Sequence, residues 1–160
     1  MIRKITVDDF DEWKILRLEA VKLNPESFGE SYEGVEKQGI RWFEESLKNS
    51  ITFSYLQDGK MVGLVGVFSA QPENMRHRAN LFGLYVKAEH RGKGIGSTLV
   101  EQVIGYAKPN HKQIHLTVTT TNQSAMSLYK KHGFVIYGTE PDALLVDGKY
   151  YDEYLMMKKL

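Results

Sequence analysis

The chain contains no cysteine among its 160 residues, and this absence removes several kinds of chemistry at once. Without thiols there can be no disulfide bond, no thiolate nucleophile and no metal site built on cysteine. A chain of this kind is typical of a reducing compartment, so we predict a cytoplasmic location.

An excess of charge and a long apolar run are also lacking. The formal net charge is +1 at pH 7, which predicts no broad basic surface for nucleic acid or for an anionic membrane. The longest mostly apolar run, residues 61–68, is far shorter than a membrane span, and acidic residues from Asp8 onward interrupt any signal-peptide pattern. We therefore expect neither a nucleic-acid nor a membrane partner.

What remains is the composition of an ordinary globular domain. Hydrophobic residues make up 42% and charged residues 26% of the chain, and 160 residues are enough for one well-packed core. No internal repeat, low-complexity tract or proline- and serine-rich linker is apparent. We predict a single domain covering residues 1–160.

Apolar periodicity and turn signals predict a mixed α/β domain. The first helix, from Asp8 or Asp9 to Leu23, is expected to turn Trp13, Leu16, Ala20 and Leu23 inward, and residues 25–33 are expected to form a loop. Asp58-Gly59 indicates a hairpin. Further helices are predicted around 40–47, 95–107 and 122–132, and strands at 2–7, 51–56, 61–68, 77–86, 114–118, 134–137 and 150–157.

The most informative segment joins a predicted strand, residues 81–86, to the helix that follows it. The junction reads Arg91-Gly92-Lys93-Gly94-Ile95-Gly96. Glycines let the backbone approach a ligand closely, and the first turn of a helix leaves N–H groups without partners. The junction therefore predicts a phosphate or pyrophosphate site, or else a plain strand-to-helix turn.

Two common nucleotide motifs do not fit this junction. A dinucleotide fingerprint requires glycine where Ser97 stands, and a P-loop requires serine or threonine where Gly94 follows Lys93. The spacing Arg-x-x-Gly-x-Gly, made by Arg91, Gly94 and Gly96, is that of another family.

A second motif follows about thirty residues later and belongs to the same family as the first. Residues 122–134 read Asn-x-x-Ala-x-x-Leu-Tyr-x-x-x-Gly-Phe, in which Asn122 suits a helix N-cap and Gly133 a helix C-terminus. Together the two motifs resemble the signatures of the GNAT superfamily of N-acetyltransferases, and the order of predicted elements is similar to that fold over nearly the whole chain.

The resemblance implies a single-domain GNAT-like α/β fold, with a mixed, mostly antiparallel central sheet whose middle strands splay apart between flanking helices. It also implies transfer of the acetyl group from acetyl-CoA to a primary amine of a small molecule or peptide, by direct attack on the thioester, with coenzyme A as product. A non-catalytic module that binds or senses acetyl-CoA is the alternative, since a fold does not fix a function.

Particular residues carry these expectations. Tyr129 would donate a proton to the departing thiolate, because a phenol with a pKa of about 10 can act as a general acid. Read without the motif, Asn122 would be only a helix cap and Tyr129 only a core residue. The residues expected at the cofactor are Leu84, Tyr85, Val86, Arg91, Gly92, Lys93, Gly94, Ile95, Gly96, Asn122 and Tyr129.

The acceptor side is less defined, because residues 81–86 contain no acidic residue where many family members have a glutamate. Glu30, Glu33, His77 and Glu153 are candidate bases, and a water relay is the alternative. Phe28 and Tyr32 are the other expected acceptor contacts. Acidic loops would favour a cationic amine, although acidity for solubility explains them equally well.

Three further groups of residues could form other sites. His111 and His115 have i,i+4 spacing but fall on a loop and a strand, so no metal site is predicted. Lys130 and Lys131 are expected at a solvated helix end or facing a coenzyme A phosphate. Tyrosines and methionines of the last strand suit a homodimer interface or the core.

Overall fold

The computed structural model describes residues 1–160, and seven strands dominate it. The strands are β1 (Ile2–Lys4), β2 (Ile51–Gln57), β3 (Lys60–Ser69), β4 (Arg78–Val86), β5 (Gln113–Thr119), β6 (Val135–Val146) and β7 (Lys149–Lys159). The helices are α1 (Phe10–Leu23), α2 (Tyr32–Glu36), α3 (Ile40–Asn49), α4 (Ile95–Ala107) and α5 (Gln123–Lys131). All strands join one sheet in the order β1-β2-β3-β4-β5-β7-β6.

Local turn chemistry explains the antiparallel half of the sheet. Asp58 and Gly59 both have positive φ, at 52° and 76°, as a tight two-residue hairpin requires, and they connect β2 to β3. β4 then pairs antiparallel with β3. The predicted hairpin and the mixed, mostly antiparallel sheet are thereby confirmed.

The middle of the sheet is open. β4 and β5 are its one parallel pair, and they are paired only from Arg78–Asn80 to Gln113–His115. Beyond that point β5 continues along β7 while β4 continues along β3, so the two strands part. The facing backbone edge of residues 81–86 consequently has no strand partner. This is the predicted splay.

A bulge in β4 lies in the segment where β4 parts from β5. Leu64 pairs with Tyr85 and Gly66 with Phe82, so Gly83 and Leu84 together face one residue of β3. Gly83 has φ of 64°, the left-handed conformation that glycine adopts without strain.

The two faces of the sheet bury separate hydrophobic clusters. On one face, α4 and α5 pack through residues such as Leu99, Val103 and Met126. On the other face, α1, α2 and α3 pack through Trp13, Val35 and Phe43. Since both clusters include sheet residues, the sheet joins them into one domain.

Four local predictions were wrong. The strand predicted at 2–7 ends at Lys4, because Val7–Asp9 form a 3-10 turn. Leu23 is 59% exposed, and Val21 is buried in its place. The expected loop at 25–33 holds a 3-10 turn, Pro25–Ser27, and its end belongs to α2. The short strand predicted at 134–137 is a twelve-residue edge strand, β6, with a bulge between Glu140 and Leu144.

None of the helices is both long and apolar enough to cross a membrane. In the last strand Met156 is fully buried and Tyr150 is 59% exposed. A homodimer through this strand stays a prediction.

Candidate active site

The gap between the parting strands forms a cavity of about 450 Å³, which we call the β4–β5 cleft. Its walls come from the end of β4, the start of α4 and the exposed side of α5. Leu84, Tyr85 and Val86 form one wall, and Ala125 and Leu128 of α5 form the opposite one. The three β4 residues predicted at the cofactor therefore line a single cavity.

The glycine-rich turn closes one end of this cleft. Gly92 and Gly94 have φ of 74° and 79°, and no atom lies within 4 Å of a Cβ built at either position. The first helical bond of this turn runs from the N–H of Thr98 to the oxygen of Gly94, at 3.0 Å, so the preceding amides have no partner within the helix. Open backbone and free amides suit a phosphate or pyrophosphate group.

Two cations border the same end of the cleft. The Nε atom of Arg91 donates to the oxygen of Val86 at 2.8 Å, and its guanidinium lies 5.5 Å from the centre of the Tyr85 ring. Lys131, at the end of α5, also lines the cleft, whereas Lys93 is exposed and does not. The positive potential at the glycine turn thus comes from Arg91 and Lys131.

Asn122 connects the cleft to the segment after α1. Its Oδ1 atom accepts the N–H of Ala125 at 3.2 Å, which caps α5 as predicted. Its Nδ2 atom lies 3.4 Å from the Oγ atom of Ser27, and Thr119 donates to the oxygen of Glu26. These contacts hold the 25–27 turn across the end of β5, where Asn24, Ser27 and Phe28 complete the cleft wall.

Tyr129, which was expected at the cofactor, does not line the cleft and belongs to the hydrophobic cluster of α4 and α5. It is 6% exposed, and its ring meets that of Phe134 edge to face at 5.8 Å. Burial raises the pKa of the Tyr129 phenol. The hydroxyl therefore keeps its proton at neutral pH, as a proton donor must.

A second cavity, of about 380 Å³, lies on the other face of the sheet. We call it the aromatic cavity, because Trp13, Trp42, Phe43, Phe68 and Phe82 line it. Gly83 of the β4 bulge also lines this cavity, while its neighbour Leu84 lines the cleft. The two cavities therefore meet across the bulge.

Arg17 and Glu30 are the charged residues of the aromatic cavity. Nη2 of Arg17 lies 2.8 Å from Oε2 of Glu30, and Gln38 donates to the other carboxylate oxygen at 3.1 Å. The Arg17 guanidinium stacks on the Phe28 ring at 4.6 Å, and Phe28 itself lines the cleft. This stacked pair stands between the two cavities.

The remaining expected acceptor residues do not gather at either cavity. Tyr32 and Glu33 lie at the exposed start of α2, and His77 is exposed just before β4, at the end where β4 and β5 still pair. Glu153 of β7 pairs with Thr119 and Glu140. Burial, with the like charge of Glu140, raises the pKa of the Glu153 carboxyl. Of the four candidate bases, only Glu30 lines either of these two cavities.

His111 and His115 have separate partners. His111 bonds Ser69 at 2.7 Å, and His115 bonds Gln113 at 2.7 Å and lies 3.2 Å from Arg78. No group of three or more histidine and carboxylate side chains suited to a metal ion is present.

The sequence did not predict that Arg17, Trp42 and Phe82 line a common cavity. Arg17 and Trp42 look like ordinary helix-surface residues, since only tertiary packing brings α1, α3 and β4 together. One signal was available, because Arg17 lies one turn after Trp13 on the same side of α1.

Comparison with known proteins gives a consistent result. A model of the "Acetyltransferase (GNAT) family" matches residues 13–134. The spermidine N(1)-acetyltransferase of Vibrio cholerae is 26% identical over 127 residues, which cover 78% of this chain and 73% of that protein.

Solved structures agree over the whole fold. An acetyltransferase of the GNAT family from Streptococcus pneumoniae has a TM-score of 0.89 at 31% identity, covering 100% of this chain and 99% of that one. A putative acetyltransferase from Salmonella typhimurium, solved with acetyl-CoA, has a TM-score of 0.85 at 19% identity, covering 100% and 93%.

Proposed function

Because the chain belongs to the GNAT acetyltransferase family, we propose that it transfers the acetyl group of acetyl-CoA to a primary amine. The observation that carries this proposal is the β4–β5 cleft, which begins at an unpaired strand edge and ends at a turn of free amides. A long ligand with a polar, amide-containing arm and a pyrophosphate matches both features.

The residues of the cleft fit acetyl-CoA chemically. One edge of residues 84–86 pairs with β3, and the oxygen of Val86 accepts from Arg91. The polar backbone groups that remain on the edge facing the cleft can bond the pantetheine amides, as another strand would. The open backbone at Gly92 and Gly94, with the side chains of Arg91 and Lys131, suits the phosphates. Gly96 keeps this turn close to α5, because a Cβ there would lie 3.2 Å from Leu128.

Acetyl-CoA supplies the acetyl group as an activated thioester, which the amine attacks directly. Tyr129 is proposed to donate its hydroxyl proton toward the leaving sulfur. The phenol is protonated at neutral pH, although burial raises its pKa and so makes it a weaker acid than a free phenol. Its support for this role is its position on α5 next to Leu128, which lines the cleft.

The amine is proposed to arrive from the opposite face, through the aromatic cavity. Only the bulged strand β4 lies between this cavity, which Gly83 lines, and the cleft, which Leu84 lines. An amine in the cavity is therefore proposed to reach the acetyl group at the bulge. Glu30 is the candidate base on this side, directly or through a water molecule, because it alone of the proposed bases lines the cavity.

Tyr129→Phe tests the mechanism. We expect thiol release from acetyl-CoA in the presence of amines to fall about 100-fold, the lower range for loss of a general acid, with unchanged acetyl-CoA affinity by calorimetry. Tyr106→Phe, which removes a hydroxyl from the 40% exposed Tyr106 on α4, is the matched control and should retain full activity.

The other outcomes separate the alternatives. Undiminished turnover in Tyr129→Phe would remove the leaving-group role and leave the transferase intact. Tight acetyl-CoA binding without turnover on any amine would favour a sensing module, and absence of binding would refute the cofactor assignment.

A further inference from the structure

Three aromatic side chains around the aromatic cavity are only partly covered by the protein. Trp42, Phe68 and Phe82 are 42%, 39% and 37% exposed, although aromatic residues gain most from burial. Trp42 stacks on Trp13 at 6.0 Å, and the rings of Phe68 and Phe82 lie 5.6 Å apart. Two partly open aromatic pairs that line one cavity mark a binding site for apolar groups.

A glycine of β3 makes room for one of the aromatic rings of the cavity. The Phe82 ring lies directly against Gly66 of β3, where any side chain would collide with it. This arrangement keeps a flat aromatic surface beside the β4 bulge. The volume of about 380 Å³ lies within the range of small-molecule sites, about 300–1,000 Å³.

The charges of the cavity argue against a polycation. Glu30 is its one lining carboxylate, and both oxygens of that group are already bonded, to Arg17 and to Gln38. Arg17, only 12% exposed, leaves Nη1 beside Gly83 at the inner end of the cavity. A second ammonium group entering here would meet the Arg17 guanidinium and would find one carboxylate, Glu30, which Arg17 and Gln38 already share, so its burial is costly.

We infer that the aromatic cavity is the acceptor site and that it selects monoamines carrying an aromatic or bulky apolar group over polyamines. This inference rests on the proposed transferase activity and specifies its substrate class. It also separates this chain from its Vibrio cholerae relative, whose name gives a polyamine, spermidine, as the substrate. Of the acidic loop residues that suggested a cationic amine from sequence, only Glu30 lines this cavity.

The chain offers a direct binding probe, because its two tryptophans, Trp13 and Trp42, both line this cavity. Phenethylamine and spermidine are titrated without acetyl-CoA while tryptophan fluorescence is recorded. We expect a saturable change with phenethylamine and none with spermidine. In the transfer assay, kcat/KM should be about tenfold or more higher for phenethylamine, as one buried aromatic contact allows.

Trp42→Ala should lower kcat/KM for phenethylamine about tenfold and weaken its fluorescence titration, read from the remaining Trp13. Tyr106→Ala is the matched control, since Tyr106 is 40% exposed and packs on Phe53 at 5.9 Å, outside both cavities. Phe68→Ala provides a second variant on the cavity wall, should Trp42→Ala fold poorly by circular dichroism.

Failure of this inference is distinguishable from failure of the proposed function. Preferred transfer to spermidine, or equal loss in Trp42→Ala and Tyr106→Ala, would overturn the assigned substrate class while leaving the transferase. Saturable phenethylamine binding that is lost in Trp42→Ala supports the site even if transfer is not detected, because this titration requires no acetyl-CoA.

Discussion

Gly83 is the residue at which the two cavities meet, and its backbone sets the shape of both. With φ of 64° it turns β4 so that Phe82 faces the aromatic cavity and Leu84 faces the cleft. A Cβ at Gly83 would also lie 3.2 Å from Nη1 of Arg17. Any other residue at this position would strain the bulge and displace the arginine.

Gly83→Ala should therefore lower the free energy of unfolding by about 1–2 kcal/mol, the usual cost of a left-handed alanine. It should also raise the KM for the amine, because the inner end of the aromatic cavity changes shape. Denaturant unfolding and steady-state kinetics measure the two effects.

Gly59→Ala is the matched control for this prediction. Gly59 has φ of 76° in the β2–β3 turn and open space around it, so its substitution should cost similar stability with unchanged kinetics. If both variants raised KM equally, the bulge would have no specific role at the site.

At the scale of elements, the parting of β4 and β5 depends on a short parallel pairing that ends at His115, opposite Asn80. His115 is 9% exposed, and Nη2 of Arg78 lies 3.2 Å from its Nδ1 atom, which accepts only when the ring is neutral. Burial first, then the charges of Arg78 and His77, lower the pKa of His115.

This pairing should weaken in acid. Because the folded-state pKa lies below the ordinary value of 6.5, the unfolded chain binds the proton first as the pH falls. The contribution of His115 to the free energy of unfolding should thus be constant above pH 6.5, the ordinary pKa. It should decrease as the pH falls from there through the folded-state pKa. Thermal unfolding followed between pH 8 and pH 5 measures this trend.

His115→Gln, which retains an acceptor for Arg78, should reduce the acid dependence, and the exposed His77→Gln should leave most of it. Part of the trend should persist in both variants, because burial also lowers the pKa of His132. An identical profile in wild type and His115→Gln would show that the β4–β5 junction does not titrate.

The elements that sequence predicted correctly are those specified locally. The Asn122 cap, the Asp58-Gly59 turn and the α4 periodicity each depend on residues a few positions apart. β6 was underestimated because Pro141 and Asp142 resemble a loop, yet an edge strand can hold a proline at a bulge. The aromatic cavity escaped prediction because residues from α1, α3 and three strands meet there only after folding.

At the scale of the whole molecule, one continuous sheet carries the β4–β5 cleft on its α4–α5 side and the aromatic cavity on its α1–α3 side. Trp13 belongs to the α1–α3 cluster and Trp42 stacks on it, whereas the glycine turn begins a helix of the opposite cluster. Because β3 and β4 contribute to both clusters, neither side should unfold without the other.

Acetyl-CoA should consequently stabilise the side that it does not touch. At a concentration 100 times its Kd, it should add about 2.7 kcal/mol to the free energy of unfolding. Tryptophan fluorescence, which reports on the α1–α3 side, and far-UV circular dichroism should give coincident transitions with and without it. Pantetheine at the same concentration lacks the phosphates and should shift both transitions less, because its affinity is lower when the glycine turn has no anion to bind. Separate transitions for the two probes would mean that the clusters fold independently, and equal shifts with pantetheine would remove the phosphate role of Arg91 and Lys131.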